Sequence, residues 1–384
     1  MKIVYLLPGG LYNPGGMERV TTLKANYLSD CLGHEVFIVT TEQMGRPVFY
    51  SLSGKVTLCN LDIGIYERFG KESYVRKVIS RHFKTIRYRR QLKKLLYEIR
   101  PDITVSTLGL DIGFINSLDD GSVKIGELHF PGNFRTLMAG KLSDSLIPNL
   151  VARLRTCELK HKCGSLERLV VLTREEKSFW HRDNVEVIPN PLTFHPQSCA
   201  HLESCKALAV GRLAYEKGFD ILVDIWQKVT VTHPAWELHI YGSGNQKEAL
   251  LRQITDSGMS DNIILHEPVT DIENVYPACS IFLFPSRYLE ALPMVMLEAM
   301  SFGLPVVSFD APCGPKDLID DGNNGFLVPA GDTDMFADCV CRLIESQVLR
   351  NSFGRAAKIS SMEYNMESIM EKWKNLFREL VDKS

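Results

Sequence analysis

The sequence predicts an α/β protein of two Rossmann-like domains, with parallel sheets facing a central cleft. Three observations predict it. The chain has 384 residues, 45% hydrophobic and 23% charged, an ordinary globular composition long enough for two domains. Short apolar runs alternate with helical patterns, which implies parallel strands joined by crossover helices. The alternation pauses at the proline-rich stretch "VIPNPLTFHP" and then starts again.

The elements follow in order. "KIVYLLP" reads as a strand, its apolar run closed by Pro8; "GMERVTTLKANYLSDCL" reads as a helix and "HEVFIVTT" as the next strand. "DITVST", "VKIGELH" and "RLVVLT" continue the sheet. After a boundary near Asn190 the strands are "KALAVGRL", "WELHIYGSG", "NIILHEPV", "IFLFPS" and "LPVVSFD". Residues 1–190 thus form one domain and 191–365 a second. The amphipathic "MESIMEKWKNLFRELV", within residues 366–384, is expected to pack back onto the first domain. Two such domains leave a cleft, a common place for ligands.

No run approaches the ~18 apolar residues of a membrane span. The opening stretch is too short for a signal-peptide core, since only Ile3 to Leu7 precede Pro8. The ten cysteines form no CxxC and no zinc or disulfide framework, so reduced thiols in a cytoplasmic protein are expected.

The net charge of −2 hides an asymmetry. Residues 68–100 hold 12 Lys or Arg against two acids, Glu72 and Glu98. The stretch also has apolar residues at helical spacing: Val75, Val78, Ile79, Phe83, Ile86, Leu92, Leu95, Leu96 and Ile99. Such a helix can dock on anionic lipid or phosphate, which would place the protein peripherally on the inner face of the plasma membrane. The plainer reading is a solvated charged face. No nucleic-acid partner is expected.

The most informative stretch is "PSRYLEALPMVMLEAMSFGLPVVS", residues 285–308. Pro293 suits a helix start, and Gly303 with Pro305 ends it, giving a helix of about Pro293 to Phe302. That helix is apolar on every side except at Glu298, so the acid is expected to be buried. A buried carboxylate costs several kcal/mol unless it meets donors. Those donors are either protein groups, or a ligand diol such as a ribose. Glu290 lies in the loop after a strand, where open α/β sheets bind ligands. The two acids are expected on the order of 10 Å apart. Backbone N–H groups around Leu292 to Val295 would lie between them and suit phosphate.

With its flanks, "E-ALPMVML-E" resembles the signature of the family 4 retaining glycosyltransferases of GT-B fold. "VGRLAYEKGFDILVDIW", "IYGSG", "VIPNPL" and "GPKDLIDDGNNGFLVPAGD" resemble further elements of that family. The resemblance covers the C-terminal half and thins in the N-terminal half. It implies that residues 191–365 bind the nucleotide-sugar donor and residues 1–190 the acceptor. Glu298 would hold the nucleotide ribose and Glu290 the sugar hydroxyls, while Arg212 and Lys217 would grip the diphosphate. Gly242, Ala291, Leu292, Pro293, Met294 and Val295 would complete the donor site. Leu292 stands where the family often has Phe, which matters little if backbone amides do the binding there. Gly15 and Gly16 fall in the loop that would face the diphosphate and acceptor. His129 would lie near the reacting sugar, and Asp111 is a further acceptor-side candidate. The catalytic group is therefore expected to be His129, Glu290, Arg212 and Lys217. The substrates implied are a nucleotide sugar, with UDP favoured over GDP-mannose, and a lipid-linked or polysaccharide acceptor of a surface glycan.

Two other readings have their own marks. A nicotinamide oxidoreductase would need a GxGxxG after the first strand, and "PGGLYNPGG" does not fit. A non-catalytic nucleotide-sugar binder would bind donor without releasing sugar. Asp332-Thr333-Asp334 has the form of a metal-binding DxD, but it directly precedes an amphipathic helix and reads as a cap. No metal or cofactor is expected.

Overall fold

A computed structural model of the chain describes residues 1–65, 74–134, 136, 146–194, 196, 198–269, 271–288 and 290–383. Residues 68–73 of the basic segment therefore lie outside the described residues. Contacts divide the chain into two units: Met1–Thr193 with Met366–Ser384, and Phe194–Asn365.

In the first unit a sheet of seven strands runs β3-β2-β1-β4-β5-β6-β7, all parallel. The strands are β1 (Lys2–Leu7), β2 (Glu35–Thr40), β3 (Val56–Asn60), β4 (Ile103–Ser106), β5 (Val123–Glu127), β6 (Arg168–Val171) and β7 (Val185–Val187). The helices around it are α1 (Gly16–Asp30), α2 (Tyr74–Ile99), α3 (Leu146–Cys163) and α4 (Arg174–Trp180). The central strands β1 and β4 are buried along almost their whole length, as expected when helices cover both faces of a parallel sheet. One face packs under α2 through Tyr88, Leu92, Leu96 and Ile99. The other takes the C-terminal helix α11 (Met366–Val381), whose Ile369, Met370, Trp373, Leu376 and Phe377 join the core of this unit.

The second unit has a six-stranded parallel sheet, β10-β9-β8-β11-β12-β13. Its strands are β8 (Lys206–Val210), β9 (Glu237–Tyr241), β10 (Ile263–His266), β11 (Ile281–Phe284), β12 (Val306–Phe309) and β13 (Gly325–Val328). Its helices are α5 (Phe219–Thr232), α6 (Lys247–Asp256), α7 (Met294–Ser301), α8 (Pro315–Leu318), α9 (Thr333–Glu345) and α10 (Gln347–Ser361). Trp226, Leu222 and Ile225 of α5 pack with Phe336 and Val340 of α9 against one sheet face.

In both sheets the strand order reverses direction once, between β1 and β4 and between β8 and β11. At such a switch point the loops leaving neighbouring strands part, and a crevice opens outside their carboxyl ends. The loop after β8 carries Arg212 and Lys217. The loop after β11 carries Glu290. The loops after β1 and β4 carry Gly15 with Gly16, and Asp111.

Candidate functional site

Helix α7 forms as its sequence dictates. Pro293 caps it, and its carbonyl accepts from Met296 at 3.0 Å. The far end closes in a Schellman turn: Gly303 (φ +79) donates to Met300 at 2.9 Å, and Leu304 to Ala299 at 3.1 Å. Met294 and Val295 open the first turn and are partly exposed, so their amides form a helix start accessible from outside.

Glu298 is 3% exposed, and Tyr276 Oη donates to its Oε2 at 2.9 Å. Tyr276 is fully buried and stacks on Phe302, with ring centroids 5.3 Å apart. The predicted burial of this acid is therefore observed, and one of its donors is a tyrosine 22 positions earlier that the sequence did not single out. Its only trace there is a tyrosine among the short turns that precede β11.

Glu290 is 5% exposed and receives Lys217 Nζ at 2.5 Å, together with the Ser286 hydroxyl. Sequence reasoning gave Lys217 and Glu290 separate roles; the structure joins them in one ion pair. Lys217 ends a single 3₁₀ turn, Tyr215–Lys217, and Gly218 follows at φ +70 as the cap of α5. A Cβ on Gly218 would lie 2.1 Å from the Pro285 carbonyl oxygen, so only glycine lets the two switch-point loops touch. Gly242 has a similar packing role, since a Cβ there would fall 1.9 Å from the Gly211 carbonyl oxygen.

Arg287, absent from the expected site, ties these loops together. Its guanidinium holds both Asp220 carboxylate oxygens at 2.6 Å and the Tyr215 carbonyl at 2.6 Å. Its own amide donates to Glu216 at 2.9 Å. Burial alone would raise the Asp220 carboxyl, but the bonds from Arg287 outweigh it and hold the group below its usual range. Arg212 faces outward, 68% exposed, and pairs with Glu216.

The first unit gathers its own polar residues at the ends of β1, β4 and β5. Gly15 caps α1, and the Glu18 carboxylate folds back so closely that a Cβ on Gly15 would meet it at 2.1 Å. Around Gly16 the space is open. His129 Nε2 lies 3.2 Å from Glu127 Oε1. Lys24, almost fully buried, donates to the same oxygen at 2.5 Å, and its ammonium sits 3.9 Å from the centre of the Trp373 ring. Burial alone would raise the Glu127 carboxyl; the Lys24 ammonium, with His129 beside it, outweighs that and holds it at about 2. His129 thus stands against a fixed anion, and neither Lys24 nor Glu127 was singled out by sequence.

Asp111 is fully buried in the turn after β4 and accepts from the Ser106 hydroxyl. Burial pushes its carboxyl from 3.8 up to about 6, against the lowering effect of Ser106. The folded value lies above the unfolded one, so folding takes up a proton between them. This group's stabilisation is fully present below about pH 4 and is lost as pH rises through about 6. Asp111→Asn should therefore remove a destabilisation of about 3 kcal/mol between pH 4 and pH 7. Urea unfolding of both proteins across that range checks it; parallel pH curves would refute a carboxyl titrating there.

Asp332 caps α9, accepting from the Met335 amide at 2.9 Å, and Asp334 pairs with Lys228 at 2.5 Å. Among the described residues no cluster of three or more His, Cys, Asp or Glu could hold a metal ion.

Comparison with known proteins places this geometry. Sucrose-phosphate synthase from Thermosynechococcus elongatus superposes with a TM-score of 0.81 at 16% identity, covering 100% of both chains. TarM of S. aureus, in a complex that contains UDP and alpha-GlcNAc-glycerol, superposes at 0.76 and 18% identity over 98% of this chain and 99% of its own. Two parallel α/β units with such neighbours define the GT-B fold. The family model described as "Glycosyl transferases group 1" matches residues 204–346. The amylovoran biosynthesis glycosyltransferase AmsD of Erwinia amylovora is 30% identical across 98% of this chain and 99% of its own length. The chain belongs to the group 1 glycosyl transferases and is a glycosyltransferase of polysaccharide or glycan biosynthesis.

Proposed function

We propose that the chain moves a hexose or N-acetylhexosamine from a UDP-sugar to a lipid-linked or polysaccharide acceptor, with retention of anomeric configuration, as in family 4. One observation carries this: at the β8/β11 switch point the buried Glu290, paired with the partly exposed Lys217, stands in the loops before a helix that bears a second buried acid, Glu298. A nucleotide sugar presents complementary groups in the same order: hexose hydroxyls, diphosphate, ribose diol.

Glu298, oriented by Tyr276, accepts from the ribose hydroxyls. Glu290 accepts from the hexose. Lys217, Arg212 and the amides of Met294 and Val295 stabilise the diphosphate as negative charge develops on it. Ala291, Leu292 and Pro293 carry the chain between the acid and the helix start, and Gly242 permits the tight approach of the neighbouring loops. To the first unit we assign the acceptor, with Asp111 and His129 as its candidates and His129 beside the reacting sugar, while Gly15 and Gly16 lie in the loop that faces the donor diphosphate and the acceptor. Attack on the sugar face that the phosphate leaves, assisted by that phosphate, gives retention without a covalent enzyme intermediate. The reading needs no metal. UDP in the TarM complex supports the choice of nucleotide, and the α-linked sugar there is consistent with retention. An acceptor held at a membrane face agrees with the basic helix α2.

A thermal-shift panel of UDP, GDP and their sugars tests the donor. A ligand at a hundred times its Kd adds about 2.7 kcal/mol, so UDP and UDP-sugars should raise Tm clearly and GDP much less. Stabilisation by GDP-mannose alone would assign the donor to mannose. An inverted product would overturn retention. Donor binding with no sugar released to any acceptor would leave a binding protein.

A further inference from the structure

The first unit buries one ion pair that has no part in donor binding. Lys24 of α1 and Glu127 at the end of β5 are each 1% exposed, and Lys24 Nζ donates to Glu127 Oε1 at 2.5 Å. The ammonium also faces two rings, Trp373 of α11 at 3.9 Å and Tyr5 of β1 at 5.4 Å. Such a pair is a poor device for stability. Desolvating both ions offsets most of their attraction, and well-packed apolar residues often do as well or better. Its position points to other work: Glu127 ends an inner strand at the carboxyl edge of the sheet, and His129 follows two residues later.

Glu127 Oε1 meets a second group. His129 Nε2 lies 3.2 Å from it, on a side chain only 7% exposed. Nε2 is buried and has no other partner among the described residues. The contact is not a well-aligned hydrogen bond, as is common at a site without its ligand. Lys24 keeps Glu127 a carboxylate, which can only accept. A bare lone pair turned towards that anion would be repelled, so Nε2 carries the ring hydrogen. In a neutral imidazole the other nitrogen, Nδ1, is then an acceptor.

We propose that Glu127 and Lys24 position His129: the paired carboxylate holds Nε2–H, and Nδ1 is thereby presented as an acceptor to a hydroxyl of the reacting sugar. This rests on the place given to His129 above and adds the tautomer, the atom used and the two residues that set them. Neither positioning residue touches substrate. Lys24 acts at one remove. Without its ammonium the buried Glu127 would take up a proton and could donate to Nε2; the ring hydrogen would then move to Nδ1, and the hydroxyl would lose its acceptor.

The test uses the full chain and the neutral pair Lys24→Met with Glu127→Gln. Glu127→Gln alone would leave a buried ammonium unpaired, whereas the pair removes both charges and should fold. A Gln free of Lys24 can turn either end of its amide to the ring, so it imposes no tautomer. Long-range ¹⁵N–¹H NMR of labelled imidazoles reads the tautomer directly, at a pH of about 8 where an ordinary imidazole is neutral. The His129 signal is the one missing in His129→Phe. The wild type should carry hydrogen on Nε2 only, and the neutral pair should show a mixture. Hydrogen on Nδ1 in the wild type, or the same tautomer in the neutral pair, would overturn the proposal.

The rate of UDP release from UDP-N-acetylglucosamine and UDP-glucose, with water as acceptor, reads the consequence. His129→Phe should slow it about tenfold or more, and the neutral pair about tenfold. All three changes together should cost no more than His129→Phe alone, because the pair acts through the ring. UDP affinity should be unchanged in every variant, since UDP carries no hexose. Losses that multiply would make the pair merely structural. A wild-type rate in His129→Phe would remove His129 from the reacting sugar, and the proposal with it. Failure of the wild type to bind UDP would defeat the donor reading and leave the tautomer result standing.

Discussion

Lys217→Ala should lower turnover by about two to three orders of magnitude while the protein still folds. Lys217 Nζ lies 2.5 Å from Glu290 and at the end of the loop leaving β8, where a departing diphosphate would gather charge. A cation already in place needs no reorganisation when that charge appears, which is why its removal is felt in the rate. The folding penalty should be smaller. Breaking a fully buried pair costs about 3–5 kcal/mol, but 23% of the Lys217 side chain meets solvent, and Ser286 still donates to Glu290. Glu290→Gln is the companion experiment. It keeps shape and size, so UDP affinity should change little while turnover falls about a hundredfold, because the lost acceptor belongs to the hexose. Equal loss of UDP binding and turnover in Glu290→Gln would mean that the acid serves the nucleotide and not the sugar.

Glu298→Gln should weaken UDP about thirtyfold, the loss of one charge-assisted hydrogen bond of about 2 kcal/mol. Its effect on 2′,3′-dideoxy-UDP should be slight, because that ligand has no diol to offer. Tyr276→Phe should show the same pattern at smaller size, about fivefold on UDP, since the phenol at 2.9 Å orients the acid without touching ligand. The comparison between ligands separates binding from folding. A variant that merely loosened the Tyr276, Phe302 and Phe194 cluster would weaken both ligands alike. Equal losses for UDP and its dideoxy analogue in Glu298→Gln would show an acid kept for the protein's own packing. Calorimetric titration reads all four affinities.

Most of the fold was legible because central parallel strands are buried on both faces and read as continuous apolar runs. "KIVYLLP", "DITVST", "IFLFPS" and "LPVVSFD" became β1, β4, β11 and β12 for that reason. The three strands that sequence reading passed over are β3, β7 and β13, and each lies at the edge of its sheet. β3 and β7 mix buried with half-exposed residues, so no continuous run marks them, and β7 spans only three residues. The outward half of α2 misled in the opposite direction. Helical spacing showed that Val78, Ile79, Phe83 and Ile86 recur at the right intervals, yet these side chains face solvent. Spacing identifies a helix, and which of its sides meets the core depends on what lies across from it.

The candidate site divides along the same line. Glu298's burial could be read from the apolar residues around it, and the limits of α7 from Pro293, Gly303 and Pro305, since capping and burial on a short helix are local matters. Nothing local foretold that Lys217 would reach an acid 73 positions away, or that Arg287 would bind Asp220 across 67. Likewise the Lys24–Glu127 pair, 103 positions apart, and the phenol of Tyr276 exist only once strands and helices are assembled. The sequence by itself determined the two parallel α/β halves and the presence of acids that folding would have to bury. Only the tertiary structure decided which partner each acid received, because the desolvation of a charge demands a neighbour in space and is indifferent to distance along the chain.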